Sequence, residues 1–275
     1  MVSVIIMMYK VKSVTTEKAN EYQVTFVAQD QRLFELTVHE ELILMYRLVV
    51  GKELTSDQFE AIHAKLDLGK AYQYAVNLLS RRSYTQGEMI QKLLAREYED
   101  FIVDEVMKRL VQSEIINDQY YAIQYVSHHM NLGKKGPNLL NRELLEKQIN
   151  QCYVTEALKL YSDEKQQENI ERLHQQQIRQ NNKYGSFYLK QKVSQNLMLK
   201  GFNRELIEAC VNQVTIDDED ERELLEKELL KLMRKHQKLD EFKKKTKVIQ
   251  TLARKGYSFD MITSVYERIK QENEY

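Results

Sequence analysis

Four basic side chains recur at nearly even intervals and are the strongest candidates in the chain for contact with an anionic partner. Arg96, Lys147, Lys200 and Lys255 are separated by 51, 53 and 55 residues. Each stands at the end of a segment with helical periodicity, where a cation stabilises the negative end of the helix dipole by a few tenths to about 1 kcal/mol. Stacked segments would also align these cations into a row that faces a repeating anionic partner. The sequence leaves both interpretations open.

A second basic group lies in the segment 133–137, which reads GKKGP. Pro137 is typical of the first position of a helix. The segment therefore places Lys134, Lys135 and free backbone amides at a helix N-terminus, where anions bind readily. An ordinary loop between two helices explains the same residues equally well.

A third basic group is the run 231–247, in which eight Lys or Arg residues oppose two acids. Such a charge block is commonly a solvated face, but it also suits contact with nucleic acid. The remaining candidates for contact with a partner or DNA come from the last third of the chain: Lys190, Lys192, Arg204, Lys243, Lys244, Lys245 and Lys247.

No residue pattern predicts catalysis, a metal site or a bound cofactor. The chain lacks a Gly-rich phosphate-binding motif, H-E-x-x-H, C-x-x-C and G-x-S-x-G. His128 and His129 are adjacent, so on a helix they point in different directions and cannot chelate one ion. Cys152 and Cys210 lie far apart, which argues against a disulfide framework or a zinc site. The acidic run 217–221 could serve a metal-dependent nuclease, but it more simply caps and starts a helix.

The candidates lie in a chain built from loose copies of one helix-turn-helix pattern. In the clearest copy, a helix ends at Lys200, Gly201 can take the positive φ of a helix C′ position, and Asn203 can cap the next helix. Aligned copies give columns of core candidates: Met89, Leu140, Val193 and Val248; Leu93, Leu144, Leu197 and Leu252; Tyr98, Ile149, Phe202 and Tyr257; Val103, Val154, Ile207 and Ile262; Val106, Ala157, Cys210 and Val265. Columns at this spacing predict tandem helical repeats.

Another helical segment precedes each copy, so every repeat is predicted to contain three helices. The first helices are expected at 70–82, 118–132, 166–180 and 220–238, and Thr85-x-x-Glu88 has the form of a capping box. The opening helix of the third repeat has only a thin apolar stripe, which leaves open an exposed or bent helix. Such repeats bury little surface alone and must stack on their neighbours.

The first 69 residues have a different pattern. Alternating apolar residues predict strands at 3–13, 22–27 and 34–38, joined by a hairpin loop at 29–31. Helices are expected at 39–49 and from Thr55 to about Leu66. The fold class is therefore mainly α, an elongated curved rod of three-helix repeats with a small N-terminal antiparallel β plus α module. The predicted domains are 1–69 for that module and 70–113, 114–162, 163–214 and 215–275 for four repeats.

The overall composition favours helix and argues against two classes of protein. One proline and eight glycines interrupt 275 residues, of which 30% are charged. Lys plus Arg and Asp plus Glu both number 41, so a strongly basic nucleic-acid binder is not indicated. The most apolar run, Val2 to Tyr9, is far shorter than the roughly 20 residues that span a bilayer, and it lacks signal-peptide features. A cytoplasmic monomer without membrane contact is expected.

Six phrases stand in a characteristic order and spacing along the chain: YAVNLLSRRSY at 74–84, EMIQKL at 88–93, Asn117-Asp118-x-x-Tyr121-Ala122, KGP at 135–137, LKGF at 199–202 and RKGY at 254–257. Together they resemble the RecX family in its longer Gram-positive form, and the resemblance covers nearly all of residues 1 to 270. The chain departs from the family at Glu97 and Gln148, where a turn glycine is common, and at Asn117, where a second aspartate is usual.

The resemblance implies a regulator that performs no chemistry and needs no cofactor. RecX proteins are tandem three-helix repeats that bind in the groove of a RecA filament on single-stranded DNA. They block its ATPase and strand exchange or promote its disassembly, which implies a role in homologous recombination and the SOS response. The four recurring cations and the lysine cluster 243–247 are accordingly predicted to face the filament, with weak direct DNA binding. The alternative is a general single-stranded-DNA-binding repeat protein, which needs no recombinase and whose affinity falls steeply with salt.

Overall fold

The computed structural model describes residues 8–181, 184–213 and 218–273. The chain divides into two compact units, Met1–Asn117 and Asp118–Tyr275. No helix in the described ranges is both long and apolar enough to cross a membrane. In chain order the elements are β1 (Met8–Lys18), β2 (Glu21–Ala28), β3 (Leu33–His39), α1 (Glu40–Tyr46), β4 (Glu53–Thr55), α2 (Ser56–Leu79), α3 (Gln86–Leu94), α4 (Asp100–Gln112), α5 (Asp118–Leu132), α6 (Pro137–Glu146), α7 (Gln151–Leu158), α8 (Asp163–Gln180), α9 (Ser186–Leu199), α10 (Arg204–Gln213), α11 (Asp218–Lys235), α12 (Glu241–Arg254) and α13 (Phe259–Asn273).

The N-terminal module contains an antiparallel sheet with strand order β3-β2-β1-β4. The alternation predicted for β2 and β3 is confirmed, because Val24, Phe26 and Val38 point into the core. Phe59 of α2 packs against the same face and stacks on Tyr9 with 3.9 Å between ring centroids. One sheet face is therefore buried under α2.

Two details of this sheet differ from the sequence prediction. The first five residues of the strand expected at 3–13 lie outside the described residues, and β1 continues to Lys18, where it pairs with Glu21. The three-residue strand β4 has no alternation of its own and was not predicted. It is a strand because it pairs with the start of β1.

The helix α2 is continuous from Ser56 to Leu79, and the prediction of two separate helices here is wrong. Gly69 lies in the predicted gap, but a glycine inside a helix costs only about 1 kcal/mol relative to alanine. Leu66 and Ala71 are buried on either side of it, so packing holds the helix together. The predicted cap is confirmed, since Thr55 forms a capping box at the start of α2.

The other helices lie close to their predicted positions. The prediction is confirmed for α5, and the capping box of α3 forms as expected at Thr85. α8 begins three residues earlier than predicted because Ser162 caps it, and α11 spans Asp218–Lys235 rather than 220–238. α1 stops at Tyr46, short of the predicted end, because Arg47 adopts a left-handed conformation with φ 50°.

The thin apolar stripe of α8 is enough to bury one face of the helix. Ile170 and Leu173 lie in the core, and the buried face is completed by three polar residues, Gln166, Asn169 and His174. Asn169 donates to the main-chain oxygen of Met130 at 3.0 Å and to the Tyr161 hydroxyl at 2.9 Å. This helix is therefore packed into the unit rather than exposed.

The predicted columns form the repeat cores. All their members are buried except Tyr98, which is half-buried against the core of its own repeat. The turn that precedes the third helix has a left-handed residue in every repeat, with φ 62° at Glu97 and Gln148, 82° at Gly201 and 87° at Gly256. Glu97 and Gln148 thus adopt the left-handed turn conformation for which the third and fourth repeats use a glycine.

Within Asp118–Tyr275, consecutive repeats are joined through main-chain atoms. Gly136 N donates to Lys200 O at 2.7 Å, and Gly185 N donates to Lys255 O at 2.8 Å. In both cases the residue before the second helix of one repeat contacts the turn of the next repeat. A Cβ on either glycine would lie 2.3 or 2.4 Å from a main-chain atom of that turn, so glycine is what allows this approach. We call this contact the repeat joint.

Candidate functional site

Residues 218–221 of the acidic run and the histidine pair lie on helices, and both groups are candidate metal ligands. In the parts of the chain that the structure describes, no three His, Cys, Asp or Glu side chains are arranged to hold a metal ion. The prediction that the acidic run starts a helix is confirmed by α11, although Asp217 lies outside the described residues. Glu221 is buried, and its carboxylate accepts a hydrogen bond from Ser186 N at 2.7 Å. It therefore caps α9 from a different helix.

Three of the four recurring cations contact the first helix of their own repeat. The Arg96 guanidinium lies 4.6 Å from the centre of the Tyr74 ring, and the Lys147 ammonium lies 5.7 Å from that of Tyr121. Lys255 forms an ion pair with Glu228 of α11. These cations therefore help to fix the first helix against the second, and their outward-facing role remains a prediction.

Lys200 takes part in the repeat joint through its backbone. Its carbonyl oxygen accepts from Gly136, and the neighbouring Gly201 oxygen accepts from Asn138 N at 3.0 Å. The amides of Gly136 and Asn138 are consequently in use, and the prediction that the segment 133–137 offers free amides is wrong for Gly136. The cause is the joint, which only the packing of the next repeat reveals.

Lys135 is part of a polar cluster on the surface of the second repeat. Its ammonium lies 2.7 and 2.8 Å from the two carboxylate oxygens of Glu143, and Glu143 also accepts from the Tyr125 hydroxyl at 2.9 Å. His129 packs edge-on against Tyr125, with 4.5 Å between ring centroids. Lys134, by contrast, is exposed.

The environment of this cluster shifts the pKa values of three of its side chains. Burial raises the pKa of Glu143, but the hydrogen bonds from Lys135 and Tyr125 outweigh it and hold that pKa below its ordinary value. Burial, followed by the Glu143 carboxylate, raises the pKa of Tyr125. Burial and then the Lys135 charge lower the pKa of His129. The Glu143 carboxylate is thus stabilised in its charged form by its hydrogen bonds from Lys135 and Tyr125.

Two of the three candidates of the third repeat, Lys192 and Arg204, lie beside aromatic rings or an acid. The Lys192 ammonium is 5.2 Å from the ring centre of Tyr184 and 5.8 Å from that of Tyr188. Arg204 pairs with Glu208 at 2.7 Å. Lys190 is half-buried.

Within the lysine cluster 243–247, three members form ion pairs. The distances are 3.1 Å for Lys243 to Asp240, 3.5 Å for Lys244 to Glu241 and 2.5 Å for Lys245 to Glu267. Ion pairs at a protein surface contribute about 1 kcal/mol or less, so a partner's phosphate can compete for these lysines. Lys247 is exposed.

Sequence reasoning missed the aromatic residues beside these cations. Tyr74 and Tyr121 lie under cations of the recurring set, and Phe187 and Phe242 project from the starts of α9 and α12. The repeat spacing carried a signal for the phenylalanines, because they are 55 residues apart, as are Phe202 and Tyr257. The candidate cations are spread over four repeats, and the structure does not gather them into one pocket.

Three family models match the chain, all for RecX. The first three-helix domain matches residues 71–110, the second matches 117–158 and the third matches 218–266. The described helices of these ranges correspond to the first, second and fourth repeats. The third repeat, α8 to α10, lies between the second and third of the matched domains.

Curated proteins named regulatory protein RecX are similar over nearly the whole chain. One from Listeria monocytogenes is 32% identical over 257 residues, which cover 93% of this chain and 95% of that protein. One from Oceanobacillus iheyensis is 31% identical and covers 96% and 100%. A crystal structure of regulatory protein RecX superposes with a TM-score of 0.61 at 26% identity, covering 74% of this chain and all of the other. RecX from Lactobacillus salivarius gives 0.51 at 29%, covering 54% and 96%.

Proposed function

Because this chain belongs to the RecX family of regulatory proteins, we propose that it binds RecA filaments assembled on single-stranded DNA and inhibits their ATPase and strand exchange. In this role it regulates homologous recombination and the SOS response in the cytoplasm. It acts as a monomer and performs no chemical step itself. Weak direct contact with DNA accompanies binding to the filament.

The observation that carries this proposal is the repeat joint. It gives consecutive repeats within Asp118–Tyr275 the same main-chain contact, which supports a surface whose features recur from one repeat to the next. A partner that itself repeats can engage such a surface at several points, and multiple weak contacts then give high avidity. A filament is a partner of that kind, whereas a small-molecule substrate is not.

The direct test is hydrolysis of ATP by RecA preformed on single-stranded DNA, with this protein titrated in at fixed salt. We expect inhibition at well below one copy per RecA monomer, because one bound regulator affects many filament subunits. Inhibition only at concentrations that coat bare DNA, relieved by moderate salt, would instead favour a general single-strand binder. No inhibition at any concentration would contradict both.

The row of recurring cations is tested by neutralising it. We expect R96Q/K147Q/K200Q/K255Q to need about tenfold more protein for the same inhibition, since four surface contacts contribute a few tenths of a kcal/mol to about 1 kcal/mol each. K10Q/K70Q/K159Q/K227Q is the matched control, because it makes the same charge change at exposed, ion-paired lysines outside the row. If both variants inhibit like the wild type, the row does not face the filament.

A further inference from the structure

Two phenylalanines at equivalent positions are the most exposed aromatic side chains among the described residues. Phe187 is 74% exposed and Phe242 is 81% exposed. Each is the second residue of the second helix of its repeat, α9 or α12. Their separation of 55 residues equals that of the core residues Phe202 and Tyr257 in the same two repeats. The repeat architecture therefore presents the same ring twice.

The same pair of lysines follows each phenylalanine. The sequence reads FYLKQK from Phe187 and FKKKTK from Phe242, so lysines stand three and five residues after each ring. The later ones, Lys192 and Lys247, are exposed. A helix rises about 1.5 Å and turns about 100° per residue, so each of these lysines lies roughly 7.5 Å along the helix and about 140° around it from its ring. Each repeat thus offers one apolar ring face and an exposed cation on the next turn of the same helix.

We propose that Phe187 with Lys192, and Phe242 with Lys247, are two copies of a contact site for single-stranded nucleic acid. In each copy a base stacks on the ring, and the lysine binds a phosphate further along the same strand as the strand passes around the start of the helix. Stacking on an aromatic face does not depend on base identity, because every base has a π face. This suits a protein that must act on DNA of any sequence, and to that extent the proposal rests on and deepens the function given above.

The surroundings of the rings favour nucleic acid over the other partners that an exposed phenylalanine can have. Exposed charged residues, Glu241 and Lys243, flank Phe242 in the chain, whereas Phe187 lies at the edge of a shallow cleft that Glu221 and Met261 also line. An aromatic anchor for a protein partner is normally enclosed by a rim that excludes water, and a membrane-binding helix needs a continuous apolar face. An exposed ring with an exposed cation five residues along the same helix matches a base and a phosphate of one extended strand.

Binding of labelled oligothymidylate, measured by fluorescence anisotropy without any recombinase, tests the rings. We expect F187A/F242A to bind at least about fivefold more weakly per ring removed, and F187Y/F242Y to retain binding. F259A is the matched control, because Phe259 is 63% exposed in the same compact unit but has Ile262 and Ser264 at the lysine positions. Unchanged binding by F187A/F242A, or an equal loss in F259A, would overturn the proposal.

The salt dependence of the same binding tests the lysines. Each phosphate contact on single-stranded DNA contributes about 0.7 to the slope of log affinity against log salt concentration. We expect K192Q/K247Q to reduce the slope by about 1.4, and F187A/F242A to leave it unchanged. K159Q/K227Q, which alters two exposed lysines elsewhere in the repeats, should keep the wild-type slope. A K192Q/K247Q slope equal to that of wild type would contradict the phosphate contacts.

The site and the proposed function fail in different ways. If F187A/F242A binds DNA normally but no longer inhibits RecA, the rings contact protein and the DNA site is wrong, while the regulatory function stands. If the wild type binds oligothymidylate through these rings but leaves RecA hydrolysis unchanged, the DNA site stands and the regulatory function is wrong.

Discussion

At the residue scale, one buried acid shows how side chains connect successive repeats. Glu221 lies four residues before the core residue Leu225 and caps α9 through Ser186 N. In the preceding repeat, Gln166 lies four residues before Ile170, but its side-chain oxygen has no partner among the described residues. The helix start that corresponds to Ser186 is Pro137, which has no N–H to donate. The side-chain oxygen at this position therefore accepts a hydrogen bond in the fourth repeat, whereas in the third repeat it has no partner among the described residues.

We expect E221A to lower the free energy of unfolding by about 1 kcal/mol, the usual cost of a lost helix cap. The measurement is denaturant unfolding followed by circular dichroism. E223A is the control, because Glu223 is an exposed residue of the same helix that pairs only at its surface with Lys227 at 3.5 Å. Equal effects of the two substitutions would show that the Ser186 hydrogen bond contributes nothing.

A buried histidine predicts a dependence of stability on pH. Burial, and after it the Lys190 charge, hold the pKa of His174 below its ordinary value. Because this folded-state pKa is depressed, the stability it contributes is present above the ordinary value of about 6.5 and is lost as the pH falls below it toward the folded value.

We therefore expect the wild type to lose more stability than H174L between about pH 7 and about pH 5, as measured by denaturant unfolding at each pH. H128L serves as the control, since it removes an exposed imidazole from a helix surface. Parallel pH profiles for wild type and H174L would contradict this assignment.

At the element scale, the two glycine turns before α10 and α13 combine a left-handed residue with a close contact. Gly201 has φ 82°, and a Cβ there would lie 2.2 Å from Leu139 N. Gly51 has a similar φ of 87°, but no atom lies within 4 Å of the position that a Cβ would take there. An alanine at position 51 would therefore introduce backbone strain alone, whereas an alanine at position 201 would also overlap sterically with Leu139.

We expect G51A to cost about 1–2 kcal/mol, the strain of a left-handed residue with a Cβ. G201A should cost a further ~1–3 kcal/mol, because the added methyl group must displace the start of α6. Thermal and denaturant unfolding of the two variants measure the difference. If both cost the same, the repeat joint is loose enough to absorb a methyl group.

The helices and turns show where sequence reasoning succeeds. The core columns were predictable because burial repeats with the same spacing in every copy, and Thr85 was predictable because a capping box is local. The continuity of α2 through Gly69 was not predictable, since packing on both sides overrides a weak local preference. The repeat joint was hidden for a related reason. It consists of main-chain hydrogen bonds, which carry no residue signature beyond the glycines that permit them.

For the candidate site, sequence reasoning found the charges but not what they contact. Arg96 and Lys147 were recognised from their spacing, yet the tyrosines beneath them come from a different helix. The exposure of Phe187 and Phe242 also required the structure, because phenylalanine at helical spacing is more often a core residue. Which cations face a partner remains a prediction.

At the scale of the whole molecule, the two compact units differ in construction. Met1–Asn117 contains a sheet packed on α2, whereas Asp118–Tyr275 contains only helical repeats in its described residues. The division into five segments, 1–69, 70–113, 114–162, 163–214 and 215–275, remains a prediction. The stability of a repeat array is approximately the sum of contributions from single repeats and from the interfaces between them. The strength of the repeat joints therefore determines whether local unfolding of one repeat extends to its neighbour.

We expect G185A to raise amide hydrogen exchange in both α9 and α12, because the Gly185 to Lys255 hydrogen bond ties the third repeat to the fourth. Exchange measured by mass spectrometry resolves the two helices. G51A, in the other compact unit, should leave exchange in α9 and α12 unchanged. Increased exchange confined to α9 would mean that the two repeats open independently.

The repeat joint also bears on how such a chain can lengthen during evolution. Each of the joined repeats carries at least one half of the contact, a glycine before its second helix or a carbonyl-bearing turn before its third. A duplicated gene segment therefore arrives already compatible with its neighbours, since main-chain partners require no matched substitutions. The repeat α8 to α10, which stands between the second and third matched family domains, occupies the place where such an insertion adds length without redesigning the contacts on either side.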